Sequence, residues 1–239
     1  FGHCGTSAVA IAPLFEGAGQ CNVGELVLAA ASETRLRAGC NTNLGTLLLL
    51  APLATAAGRI TLSGTVLSAQ TLVEATREVL RTLSHDDSRN IYSAIRVASP
   101  GGLGKRDRDD VASDAPKDLI AAMRQVAESD AVARQYVNGF EDVFDRLWPW
   151  LREALERSAN PLPAIAELQL RWLAWEPDGL IIRKLGREAA SQIWQRAGEI
   201  RALSLAGSAD FRSEYQSFGD YLREDGNRRN PGTTADLIA

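Results

Sequence analysis

The chain has 239 residues, 45% apolar and 23% charged, which is enough apolar content for a real core in one large domain or two small ones. A formal charge of −4 supplies no basic field to recruit nucleic acid or anionic lipid. Three cysteines (Cys4, Cys21, Cys40) with no CxxC spacing, and two histidines, His3 and His85, argue against zinc and fit reduced thiols in a cytoplasmic protein.

Helical patterning dominates from the start. "GELVLAAASETRLRAG" places apolar residues on one face and ends on Gly39, a helix with its C-cap. "NTNLGTLLLLAPLATAAG" offers Asn41, Thr42 and Asn43 as N-caps of an almost wholly apolar helix. Its run from Leu44 to Ala57, interrupted by Thr46, Pro52 and Thr55, is too short to span a bilayer and reads as a buried core helix, so no membrane partner is expected. "SGTVLSAQTLVEATREVLRTLS" is a third helix, and Asp86 caps a fourth that stops at Pro100.

Pro116 opens the next helix, and Pro149 kinks the amphipathic stretch Asp130 to Arg157. "PAIAELQLRWLAWEPD" and "GREAASQIWQRAGEIRALSL" are two further helices joined by the loop around Pro177 to Gly179; "GLIIRK" between them is the one strand candidate. The tail reads helical to Asp225, then turns into a last helix. The expectation is a single all-α domain of about ten helices over residues 1–239. No leader precedes Phe1, and both ends read as cut.

Candidate chemistry sits at helix ends and turns, where backbone amides are unpaired. Gly101, Gly102 and Gly104 in "PGGLG" let the backbone approach a ligand and form an anion nest. Asp107, Asp109 and Asp110 follow, with Asp114 one turn on; one or two carboxylates plus phosphate oxygens suit Mg2+. The plain alternative is a solvated loop with capping aspartates. Asn41, Thr42 and Asn43 are more polar groups than one cap needs, at a helix start that favours anions. Asp130 and Arg134 stand four apart, with Gln135 and Tyr136 next; they also read as a surface ion pair. Asp178 lies in a turn, and Arg183 and Lys184 end an apolar run, as a phosphate clamp or as complements to a helix dipole. "RRNPGTTAD" repeats the theme of a Pro-Gly turn opening a helix. The five tryptophans fall at helical spacing and read as core or interface. No GxSxG, HExxH or Walker lysine motif is present.

The order of "CNTNLGTLLLLAPLA", "AIRVASPGGLGKRDRDDV", "SDAVARQYVNGFEDVF", "PDGLIIRKLG" and "NPGTTADLIA" resembles the triphosphoribosyl-dephospho-CoA synthase family, over about Gly24 to Ala239. The resemblance implies an all-helical, ATP-using transferase that joins ATP to 3′-dephospho-CoA and releases adenine. Its product is the prosthetic-group precursor of citrate lyase and malonate decarboxylase. It implies Mg2+ held by Asp109 and Asp110, and Asp110, Asp130 and Asp109 as catalytic carboxylates. Nucleotide binding then falls to Asn41, Thr42, Asn43, Gly101, Gly102, Gly104, Arg134, Gln135, Tyr136, Asp178, Arg183 and Lys184. Asn43 and Leu44 stand where the family pattern carries His-Lys, and Gly179-Leu180 where it carries a His-bearing segment. The family's N-terminal Lys-Pro-Gly segment is absent. These differences leave two alternatives open. One is another acceptor, in methanopterin- or methanofuran-type one-carbon cofactor synthesis; the other is a non-catalytic helical binding protein. A homo-oligomer is also left open.

Overall fold

The structure is a computed structural model, and it describes residues 2–39, 43–98, 114–157 and 160–239. The described residues form thirteen α-helices, one short 3-10 turn and one π-helical stretch, with no strand. They gather into two compact units, Phe1–Glu128 with Val132–Phe140, and Ser129–Ala131 with Glu141–Ala239.

The first unit holds α1 (Gly2–Glu16), α2 (Val23–Ala38), α3 (Leu44–Leu62), α4 (Ala69–Arg81), α5 (His85–Ala98), α6 (Leu119–Arg124) and most of α7 (Ala131–Asn138). Helix α2 begins on an Asn22–Glu25 capping box and ends on Gly39 at φ +70°. Its buried stripe, Val23, Leu26, Val27, Ala30 and Ala31, packs beside Ile91, Ala94 and Ala98 of α5. The approach is close at the N-terminus, where a Cβ on Gly24 would stand 2.5 Å from the Asp87 backbone. Gly58 of α3 and Gly19 of the Ala18–Gln20 turn meet in the same way; a Cβ on either would lie 2.5–2.6 Å from the other's backbone.

Helix α3 corrects the length inferred from sequence. It continues past Ala57 to Leu62, so by length and apolarity alone its 19 residues suffice to cross a membrane. Its buried residues, including Leu47, Ala51, Thr55 and Ile60, follow the spacing of a core helix. Pro52 inside α3 has no N–H, so the Leu48 carbonyl lacks its helical donor. The Tyr136 hydroxyl of α7 donates to that carbonyl at 2.7 Å and replaces the missing bond.

Three sequence-based boundaries shift. Ser84, not Asp86, caps α5: the Asp87 backbone N–H donates to Ser84 Oγ, and Ser84 N–H donates back to Asp87 Oδ2. Pro116 does not open α6; Asp118 is its N-cap, accepting from Ala121 N–H, while the Pro116 carbonyl accepts from the Ser88 hydroxyl at 2.7 Å. The break expected at Pro149 falls earlier, at Gly139 and Phe140, whose φ values are +73° and +64°. The chain then runs π-helical over Asp142–Leu147, with Trp148 N–H bonding to Val143 O, before α8 (Trp148–Arg157). The wider turn accommodates a proline that has no N–H to give.

The second unit adds α9 (Pro161–Leu173), α10 (Gly179–Leu185), α11 (Arg187–Leu205), α12 (Phe211–Asn227) and α13 (Gly232–Ile238). Leu170, Leu173, Ile181, Ala190, Ile193, Ala197, Ile200 and Phe218 form its core. The strand candidate "GLIIRK" is α10. Asp178 caps it, and a cap next to an apolar run is a helix start, which outweighs the β-branched pair Ile181–Ile182. Of the tryptophans, Trp172 is fully buried, Trp150 stacks at 6.3 Å from Trp172 and 6.0 Å from Trp175, and Trp148, Trp175 and Trp194 are exposed.

Candidate active site

Three of the five motifs converge in the second unit. Asp178 is 4% exposed, yet its carboxylate is fully engaged. Oδ1 accepts from the N–H groups of Leu180 (2.9 Å) and Ile181 (3.1 Å), and Oδ2 accepts from the Thr234 N–H (2.7 Å) and hydroxyl (2.8 Å). Thr233 Oγ1 accepts a further bond from Leu180 N–H. One carboxylate thus joins the N-termini of α10 and α13, where both sets of amides favour negative charge. Burial pushes the Asp178 carboxyl above its ordinary value, against the lowering effect of the four donors.

Two glycines let backbones meet here. A Cβ on Gly179 would stand 2.7 Å from the Ser129 carbonyl, and one on Gly232 would stand 2.4 Å from Leu180 Cδ2. The Ser129–Asp130 turn and the Pro231–Gly232 turn therefore both press on the start of α10. The result is a half-buried ion pair, Arg183 Nη1 to Asp130 Oδ2 at 2.7 Å, with side chains 30% and 27% exposed. Lys184, the next residue, is exposed. Successive helix residues diverge by about 100° about the helix axis.

In the first unit, α7 carries the other candidates. Tyr136 is 2% exposed and spends its hydroxyl on Leu48; its titration is pushed up by desolvation and by the nearby Asp87 charge. Tyr136, expected among the nucleotide-binding residues, is a core residue whose hydroxyl is already taken. Gln135 is fully buried and Arg134 partly buried. Asn43 is the N-cap residue of α3, and its carbonyl accepts from Leu47 N–H at 2.9 Å. Beside it, Thr34 is 2% exposed, and its hydroxyl is sealed without a hydrogen-bond partner, against a crevice also lined by Arg35. Asn41, Thr42, Gly101, Gly102, Gly104, Asp107, Asp109 and Asp110 lie outside the described residues.

Sequence reasoning passed over Thr233 and Thr234 as site residues; the signal was their place directly after a Pro-Gly turn. It passed over Asp87 as well, although the Ser84–Asp87 spacing is that of a capping box. Among the described residues no three His, Cys, Asp or Glu side chains gather to hold a metal ion.

The second unit thus holds a carboxylate–guanidinium pair beside a helix-end clasp, and the chain is similar to known transferases. A crystal structure of an Archaeoglobus fulgidus protein assigned as a triphosphoribosyl-dephospho-CoA synthase is 28% identical to it, over 97% of this chain and 93% of that one, with a TM-score of 0.71. The chain belongs to the CitG family, ATP:dephospho-CoA triphosphoribosyl transferase, whose model matches residues 1–239. No protein of curated function matches it.

Proposed function

We propose that this transferase moves the triphosphoribosyl group of Mg-ATP onto a ribose hydroxyl of 3′-dephospho-CoA, in the cytoplasm, and releases adenine. The C1′–N9 bond of ATP breaks, a C1′–O bond to the acceptor forms, and the acceptor's hydroxyl proton is lost as adenine gains one. The single observation that supports the reading most is the Asp130–Arg183 pair, pinned by Gly179 and the Asp178 clasp at the meeting of three family motifs.

Displacement at C1′ passes through an oxocarbenium-like transition state, which carboxylates stabilise and whose attacking oxygen they deprotonate. Asp130 is partly buried and paired with the Arg183 guanidinium, and is one carboxylate proposed for that task; Asp110, then Asp109, are the others. Asp109 and Asp110 would hold Mg2+, which neutralises triphosphate charge when bound. The glycines of residues 101–104, with Asn41, Thr42, Asn43, Arg134 and Lys184, are proposed to receive the phosphates. Arg183 serves either the phosphates or Asp130. Asp178 and Gln135, both buried, act by positioning.

The test is free adenine after incubation of the full chain with Mg-ATP and dephospho-CoA. Asp130→Asn and Asp110→Asn should each cut its rate by about 10²-fold or more. Wild-type activity with no loss in either variant would remove the carboxylates from the mechanism. Asn43 and Leu44, in place of a base and a cation, favour a second reading with a different acceptor in one-carbon cofactor synthesis. Adenine-loss adducts found by mass spectrometry with such acceptors, and none with dephospho-CoA, would select it.

A further inference from the structure

The second unit carries a cleft between α9, α12 and the Asn230–Pro231 turn, of about 510 Å³, which the last motif touches only through its first two residues. That volume lies within the roughly 300–1,000 Å³ typical of small-molecule sites. Its floor is the outer side of the unit's own core: Leu170 and Leu173 from α9, and Phe218 and Leu222 from α12. Three side-chain amides, Gln169, Gln216 and Asn230, stand around that apolar floor. Two arginines of α12, Arg212 and Arg223, complete it, and no carboxylate lines the cleft. Arg223 pairs with Asp220, but that pair is more than 60% exposed on both sides and breaks at little cost.

The shape of the cleft depends on Gly219. Residues 212, 215, 216, 219, 222 and 223 form one stripe along α12, and its middle position has no side chain. Gly219 is an interior helical residue with no positive φ, so its backbone does not require glycine. A Cβ there would meet nothing closer than the flexible Arg223 guanidinium, at 3.3 Å. Glycine is a poor choice inside a helix unless space is needed, and here the space is the centre of the cleft.

We infer that this cleft takes the pantetheine arm of the acceptor, an inference that rests on dephospho-CoA being that acceptor. The arm is a slim chain with a gem-dimethyl group and two amides, ending at a pyrophosphate. The apolar floor covers its hydrocarbon, the carboxamides pair with its amides, and the arginine at one end of the stripe, Arg212 or Arg223, meets the pyrophosphate. The neighbouring groove between α11 and α12 is rimmed by Glu199, Asp210 and Glu214 and would repel the same ligand. Pro231 ends the cleft one residue before Gly232, which packs on α10, so the arm lies next to the Asp178 clasp.

The test is Gly219→Leu, which fills the cleft while favouring the helix. The variant should melt no lower than wild type. Its KM for dephospho-CoA should rise about tenfold or more while its KM for ATP is unchanged. Separately, 4′-phosphopantetheine titrated into the full chain by calorimetry should bind wild type and not Gly219→Leu. An unchanged KM for dephospho-CoA, or 4′-phosphopantetheine that binds both chains equally or neither, overturns the inference. If wild type releases no adenine with dephospho-CoA, the acceptor reading fails on its own, and the titration still decides the cleft.

Discussion

Each unit is built around one buried aspartate that ties together two helix N-termini, and the two clasps lead to different places. In the first unit, Asp87 Oδ1 accepts from Gly24 N–H at the start of α2 (2.8 Å), while Oδ2 accepts from the N–H and hydroxyl of Ser84 at the start of α5 (2.8 and 2.7 Å). In the second, Asp178 joins α10 to α13 through four donors. Both are about equally sealed, at 5% and 4% exposure. Asp87 lies near the buried Tyr136, with Ser84 on its outer side exposed. Asp178 fixes the one helix whose Arg183 reaches a half-exposed carboxylate. The same device ends in packing in one unit and beside a partly exposed ion pair in the other, so a buried charge is not by itself a sign of function.

Removing each carboxylate tests that contrast most severely. Asp178→Ala strands four donors, three of them in buried bonds, and should cost about 3 kcal/mol or more in denaturant unfolding; Asp87→Ala strands the buried Gly24 N–H and two donors of the exposed Ser84, and should cost about 1–3 kcal/mol. The two variants should part in kinetics. At a temperature where both remain folded, Asp178→Ala should lose adenine release and Asp87→Ala should keep most of it. The reverse result would place the chemistry in the first unit.

A smaller effect sharpens the same comparison. Gly24→Ala forces a Cβ to 2.5 Å from the Asp87 backbone, and Gly179→Ala forces one to 2.7 Å from the Ser129 carbonyl. Neither neighbour is a flexible side chain, so each should destabilise by about 1–3 kcal/mol. Only Gly179→Ala pushes on the turn that carries Asp130. Its kcat should therefore fall further than that of Gly24→Ala at matched stability.

Helical class was legible because the apolar spacing of α2, α3 and α11 and the Gly39 stop are local signals. The errors came where a local signal competed with tertiary structure. Ile181 and Ile182 looked like strand until the Asp178 cap is seen to be reinforced by Thr233, 53 residues away from Leu180. Pro149 looked like the break, although the left-handed pair Gly139–Phe140 had already ended α7. Motif order along the chain singled out Asp130, Asp178 and Arg183, and the fold sets Asp178 and Arg183 at the two ends of α10 with Asp130 paired to Arg183. Tyr136 was misjudged for a reason no local pattern holds: its partner is the carbonyl four residues before a proline in another helix.

That partnership gives a prediction specific to the first unit. Tyr136→Phe leaves the Leu48 carbonyl buried without a donor and should cost about 1–2 kcal/mol. Pro52→Ala restores a backbone N–H to that carbonyl, so the tyrosine should be worth less in that background. A double-mutant cycle on unfolding should show coupling of about 0.5 kcal/mol or more between the two positions. Strictly additive effects would mean that the hydroxyl does not substitute for the missing helical bond.

The smallest expected effect is in pH, and it belongs to Asp178 alone. Burial raises its carboxyl above the ordinary 3.8 despite four donors that favour the ionised form. A carboxyl raised on folding holds its proton more tightly in the folded state, so its stabilising contribution is full below the unfolded value. That contribution is lost as pH climbs through the raised folded value, and is flat above it. Asp178→Asn keeps an acceptor for Leu180 and Ile181, turns a donor toward the Thr234 N–H, and cannot ionise. The variant should thus be less stable at every pH while lacking this part of the decline as pH rises above the ordinary carboxylate value. A wild-type carboxyl that titrates below 3.8 would show instead that the amides at two helix ends outweigh its burial, and the clasp would then strengthen with rising pH.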